Sequence, residues 1–360
     1  MTTLQALEEP FAAGQLAAGP AVQQLERKLA DRFVGFEAVA VGDMTHALAV
    51  ALRLCGVGKD DEVLSLAFNC MSSNTAIPMV GARPVWVDVD ARTAAFDLNS
   101  AQRRLTARTK AVIVYHVSGY PADLAGIRAF CDQHGLPLIE DANNAFGAHF
   151  DGRPIGSWGD FAIFSLYANR QINGIDGGIL LCRDAENAAR ARQLRRFGID
   201  VARFRDAQGE IDPAADVTEI GTSSTLNNVN ATLALASLAD VEIRIDQSRR
   251  NAAILSDAVG GTPIIPIVPV EGAEPVYWTW LARMDARDQM MRGLKKQGIA
   301  CSKLHHPNHH YTGFGTGTTI LPGTECLASK MLAIPCGWWI DAATATRIGA
   351  AIATISKSDR

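Results

Sequence analysis

The chain has 360 residues, 48% of them apolar and 20% charged, and its 34 Lys and Arg against 38 Asp and Glu leave a formal charge of −4. That apolar share excludes a disordered or low-complexity chain, and the mild acidity argues against nucleic acid or an anionic lipid surface as the main partner. No apolar run approaches the ~20 residues of a membrane span, and the opening MTTLQALEEPFAAG has no basic segment leading into an apolar one, so a cytoplasmic protein is expected.

After Gly19-Pro20, the residues Val22, Leu25, Leu29 and Phe33 are spaced as one face of a helix. From there β-rich runs at 39–41, 62–66, 84–89, 111–117, 136–140, 161–166 and 178–182 alternate with helical stretches such as 45–54, 73–80 and 124–134. The unbroken apolar run from Ala111 to Val117 asks for burial on both faces, as in a mainly parallel sheet covered by helices. Helical regions follow at 185–197 and 229–258, and the remainder mixes short strands, Gly/Pro turns and a terminal amphipathic helix. The expected fold is α/β, with a large sheet domain over 1–240 and a smaller C-terminal α+β domain over 241–360.

Several familiar signals fail. The seven cysteines form no CxxC pair and read as reduced, small apolar residues. Gly56-Val57-Gly58-Lys59 lacks the upstream glycine of a phosphate loop and runs into Asp60, and Gly313-Phe314-Gly315-Thr316-Gly317 follows no strand. The run His305-His306-Pro307-Asn308-His309-His310 has no carboxylate or cysteine at ligand spacing, so a polar active-site loop or plain surface is expected and no metal site.

Four segments carry chemistry together. Gly42-Asp43-Met44-Thr45-His46 joins a strand to a helix, where free N–H groups and the helix dipole favour an anion and Thr45 adds a hydroxyl. Glu140-Asp141-Ala142-Asn143-Asn144 places two acids at the carboxyl edge of the sheet, where α/β proteins hold ligands and a carboxylate can partner a protonated ring nitrogen. Ser165-Leu166-Tyr167-Ala168-Asn169-Arg170 and Asn173-Gly174-Ile175-Asp176-Gly177-Gly178 supply a hydroxyl, a polar turn and paired glycines.

The order of these segments resembles the DegT/DnrJ/EryC1/StrS family of fold-type-I, pyridoxal-phosphate-dependent sugar aminotransferases. The resemblance runs from Gly14-Gln15-Leu16 to about Leu238 and includes Gly58-Lys59-Asp60-Asp61-Glu62-Val63, Gly81 through Asp90, His116-Val117-Ser118-Gly119 and Gly156 through Asp160. It implies that Thr45 and the backbone of His46 bind the cofactor phosphate with Ser165, that Phe68 stacks on the pyridine ring, and that Asp141 pairs with the ring nitrogen. Asn144 stands where the family has a longer side chain near the 3′-oxygen. Ser223 stands in a segment, 218–230, that reaches the partner subunit's phosphate in a homodimer with shared sites.

The same resemblance places Arg170 in the slot of the Schiff-base lysine. A guanidinium stays protonated and is a poor nucleophile and proton shuttle, so pyridoxal or pyridoxamine phosphate would be held non-covalently, and Arg170 would act as a fixed cation. His46 or His116 would then be the candidate bases. The implied function is an enzyme acting on a nucleotide-linked keto-sugar or another small ketone. The alternatives are a catalytically silent binding homologue and a lysine-less enzyme, either dehydratase-like with pyridoxamine phosphate or independent of cofactor. The family's Gly-Glu-Gly-Gly is here Ile175-Asp176-Gly177-Gly178, and Thr225 replaces a usual arginine.

Overall fold

A computed structural model describes residues 3–315 and 319–357 of the chain. The last two residues of the 313–317 glycine run lie outside the described residues. At the centre is a seven-stranded sheet of β1 (Glu37–Val41), β2 (Glu62–Leu66), β3 (Arg83–Val87), β4 (Thr109–Tyr115), β5 (Leu138–Asp141), β6 (Phe161–Ser165) and β7 (Gly178–Cys182). The strand order is β1-β7-β6-β5-β4-β2-β3, with β7 antiparallel to both neighbours and every other pair parallel.

Side chains alternate across a strand, so one sheet feeds two cores. Val112, Val114, Leu138 and Phe164 face a layer that includes Leu25 and Leu29 of the helix Ala21–Arg32. Ala111, Ile113, Ile139 and Ile163 face a second layer, filled by Ala47, Leu48, Ala51 and Leu52 of the helix Met44–Leu54. All residues of β2, β5, β6 and β7 are buried, as continuous apolar strands in a doubly covered sheet should be.

The expected helix over 185–197 ends at Leu194. Phe197 and Gly198 turn to positive φ, 59° and 87°, and a Cβ on Gly198 would lie 1.9 Å from the Glu219 carbonyl oxygen, so the chain must leave the helix there. The expected helical region 229–258 is two helices, Asn228–Ala239 and Val241–Ala258, divided at Asp240 with φ −107° and ψ 10°. Val241 and Ile245 join the large core, while Ala252 and Leu255 join the core of the C-terminal unit, so this second helix bridges the two. That unit packs the helices Arg287–Lys296 and Ala342–Lys357 on a small sheet of Ile265–Pro266, Trp280–Arg283 and Met331–Ile334.

Candidate active site

The parallel strands β2, β4, β5 and β6 end on one edge, and their last residues and following loops converge there. Tyr115, ending β4, is in register with Asp141, ending β5. Phe68, Asn69 and Cys70 follow β2, and Ser165 ends β6 opposite Gly178. A Cβ on Gly178 would lie 2.8 Å from Met44 Cα, which is why glycine stands there and why the start of the helix bearing Thr45 and His46 closes on the same edge.

Asp141 is fully buried. One oxygen accepts from Asn143 Nδ2 at 2.8 Å and the other faces Asn69 Nδ2 at 3.4 Å. Among the described residues no cationic side chain pairs with it within 4.0 Å. A buried carboxylate held only by neutral amides is costly, and its cost falls when a cation or an N–H of a ligand comes to it.

Beside it, the Tyr115 hydroxyl collects three contacts: Asn144 Nδ2 donates at 2.9 Å, the Ser118 N–H donates at 3.3 Å, and His305 Nε2 lies at 3.2 Å. Burial, with Asp141 adding to it, pushes the phenol well above its ordinary range, so it stays protonated. His305 lies edge-on to Phe68, ring centroids 5.4 Å apart. Burial, and then the Arg170 charge, lowers the His305 pKa to about 3, so its imidazole is neutral. The loop carrying it is pinned down by buried Asn308, whose backbone N–H donates to Ala67 O at 2.8 Å and whose Nδ2 donates to Asn69 O at 3.0 Å.

Arg170 sits at the rim. Its guanidinium lies over the Trp278 ring, 4.7 Å from the centroid, and donates to Asn169 Oδ1. Its Nε is buried without a partner. Burial lowers the Arg170 pKa, against the opposing pull of Tyr115, Cys70 and Asp141, which marks a partly desolvated cation facing into the site.

The remaining expected residues fall in different places. Thr45 stands in the first turn of its helix, but the His46 N–H is already taken by the Asp43 carboxylate at 3.1 Å, so the backbone of His46 is not a free phosphate donor. The His46 ring faces the same carboxylate, Nδ1 to Oδ1 3.4 Å. Ser165 accepts from the Tyr167 N–H at 3.2 Å and keeps its own proton to donate. His116 is fully buried away from the rim: Nδ1 accepts from the Ala122 N–H at 3.2 Å and Nε2 faces Glu140 at 3.4 Å. Glu140 points to the other side of β5 and accepts from the N–H groups of Gly156, Trp158 and Gly159, so the His116 ring packs against a carboxylate already held by backbone. Ser223 is exposed and bridges to Arg196, outside this chain's own site.

Tyr115, His305, Trp278 and Asn69 belong to the site but carried no motif. A tyrosine closing an apolar strand at the carboxyl edge was the one usable signal for Tyr115, and the histidine run marked the loop of His305; nothing local marked Trp278 or Asn69. The residues fit a pyridoxal-type cofactor at its ring, where Asp141 lacks a countercharge and Asn144 Oδ1 and Gln171 Oε1 are buried without partners. At its phosphate, the Thr45 and Ser165 hydroxyls and the free first-turn N–H groups remain as donors.

A seven-stranded sheet with one reversed strand, a buried carboxylate at the carboxyl edge and a helix start beside it define a fold-type-I aminotransferase-like protein. A profile of the DegT/DnrJ/EryC1/StrS aminotransferase family matches residues 1–353, and the chain belongs to that family, one of pyridoxal-phosphate-dependent sugar aminotransferases. Solved structures agree over the whole chain. It is 30% identical to the aminotransferase TlmJ from Streptoalloteichus hindustanus, with TM-score 0.92, covering 99% of this chain and 96% of that one. AtS13 from Actinomadura melliaura is 31% identical with TM-score 0.91, covering 98% and 95%. DesV from S. venezuelae is 28% identical with TM-score 0.90, covering 99% and 94%. Among the described residues no helix is long and apolar enough to cross a membrane.

Proposed function

We propose that this chain acts on a nucleotide-linked keto-sugar, or another small biosynthetic ketone, with pyridoxamine or pyridoxal phosphate held non-covalently in a homodimer. The observation that carries the reading is Asp141, fully buried at the sheet edge with no cationic side chain among the described residues paired to it. When bound, the cofactor's protonated ring supplies an electron sink. The chain's own part is to place it: Asp141 holds the proton on the ring nitrogen, and Thr45 and Ser165 donate to the phosphate. Phe68 and His305 exclude water from one side. Tyr115, kept protonated, accepts from Asn144 and turns its own proton to His305, so it would fix Asn144 beside an oxygen on the ring. Ser223 would serve the partner subunit's site.

Arg170 stands in the lysine slot in this reading. Its guanidinium, stacked on Trp278 and short of partners at Nε, suits an anionic group of the ligand, and it cannot form a covalent link. A second reading, a homologue that binds ligand without turnover, is favoured by the same residue and by the Asp43 cap on the phosphate-side helix.

The test is to mix purified protein with each cofactor, follow absorbance, then treat with borohydride and weigh the chain. Binding without added mass is expected in the native chain, and Arg170→Lys should gain the mass of a reduced adduct. An adduct on a lysine of the native chain would overturn the role of Arg170. Failure to bind either cofactor would leave the binding homologue.

A further inference from the structure

The histidine run 305–310 lacks a carboxylate in sequence, but the fold supplies one. The helix Pro322–Lys330 brings Glu325, in its first turn, against the loop. His309 Nε2 lies 3.1 Å and His310 Nε2 3.0 Å from the same oxygen, Glu325 Oε1, and the three ligand atoms all fall within 4.8 Å of one another. From this convergence we propose that His309, His310 and Glu325 bind a divalent first-row metal ion, zinc by preference, with a fourth position open to water.

The distances argue for it directly. A tetrahedral zinc ion with bonds of about 2.0–2.1 Å has ligand-to-ligand edges of about 3.3 Å. Two of the three protein edges are therefore already near that length, and the third is no longer than 4.8 Å. Two imidazoles and a carboxylate are a donor set that suits zinc and its neighbours rather than magnesium or calcium. The His309 side chain is only 6% exposed while those of His310 and Glu325 are 39% and 50% exposed, so the ion would sit at a rim with one side to solvent. The His306 ring packs at a tilt against His310, centroids 5.1 Å apart, and is not among the three ligands.

The charge pattern agrees. With no ion, both Nε2 atoms must carry hydrogens to contact one carboxylate oxygen. A dication in the gap neutralises the carboxylate without charging either ring. Such an ion would clasp the loop that lays His305 against Phe68 to the helix Pro322–Lys330, in series with the Asn308 anchor on Ala67 and Asn69. The site does not depend on the function proposed above.

Metal-stripped full-length protein should be titrated with cobalt(II), reading its visible d–d absorption, and then with zinc in competition with a chromophoric chelator. One equivalent per chain with the intense bands of four-coordinate cobalt is expected, and zinc should raise the melting temperature. Glu325→Gln, an exposed and fold-neutral change, should weaken zinc by more than about tenfold and abolish the thermal shift, while His306→Gln should change neither. His309→Gln should match Glu325→Gln. Weak six-coordinate cobalt spectra, or an affinity unchanged by Glu325→Gln, would mean adventitious surface binding and overturn the proposal.

Discussion

Asp141→Asn should move the protein in opposite directions with and without cofactor. In the free chain the carboxylate is fully buried and leans on neutral amides alone, 2.8 Å from Asn143 Nδ2 and 3.4 Å from Asn69 Nδ2. An asparagine of the same shape keeps the shorter contact through its oxygen, gives up the longer one, and removes a buried charge. Replacing an uncompensated buried ion by a neutral isostere should stabilise by on the order of 1–2 kcal/mol, which is a rise of roughly 1–3 °C in melting temperature for a chain of this length. With cofactor bound the sign reverses. A charge-assisted hydrogen bond to a ring N–H is worth about 1.5–3 kcal/mol net, so pyridoxamine phosphate affinity should fall by about tenfold to a hundredfold. The two effects are read by differential scanning fluorimetry of the stripped protein and by fluorescence titration of the cofactor. If the free variant is no more stable and its affinity is unchanged, Asp141 is not the ring's partner and the assignment of the site fails.

Two further changes probe the rim. Ile175, a β-branched residue that is 59% exposed, is held at φ 73°. That conformation costs it roughly 2 kcal/mol, more than the roughly 0.5–1 kcal/mol of extra chain entropy a glycine brings. Ile175→Gly should therefore raise the urea midpoint by about 1 kcal/mol worth of stability at an unchanged m-value; a lower midpoint would contradict it. His305 has its pKa lowered from 6.5 to about 3. The unfolded chain then takes up a proton that the folded chain refuses, so this contribution to stability is complete above pH 6.5 and is lost progressively as the pH falls towards 3. His305→Phe, which keeps an aromatic ring on Phe68, should lose stability less steeply across that window. An NMR titration showing His305 protonated near pH 6 would refute the premise.

The alternation of apolar strands and helices, and the chemistry at strand ends, were legible because each is a local property. Val112 and Val114 must face one side and Ala111 and Ile113 the other, so the doubly covered sheet follows from the run itself. Asp141, Ser165 and the Met44–Leu54 helix start could be placed for the same reason: each lies at the junction of a strand or helix with its loop. His116 could not be placed from the sequence, which does not say on which side of a strand end a loop folds. The burial of its ring against Glu140 shows that it turned inward.

By itself, then, the sequence determined the class of fold, the polar chemistry gathered at the strand ends, and the presence of arginine at position 170. Only the tertiary structure decided what surrounds them. His305 reaches Tyr115 across 190 residues, and Asn308 reaches Asn69 across 239. Trp278 meets the Arg170 guanidinium through another contact between distant stretches of the chain. Such partners carry no local signal, because what brings them together is the packing of the C-terminal unit and its loops onto the sheet edge, and that packing is set by cores built from residues far apart in the chain.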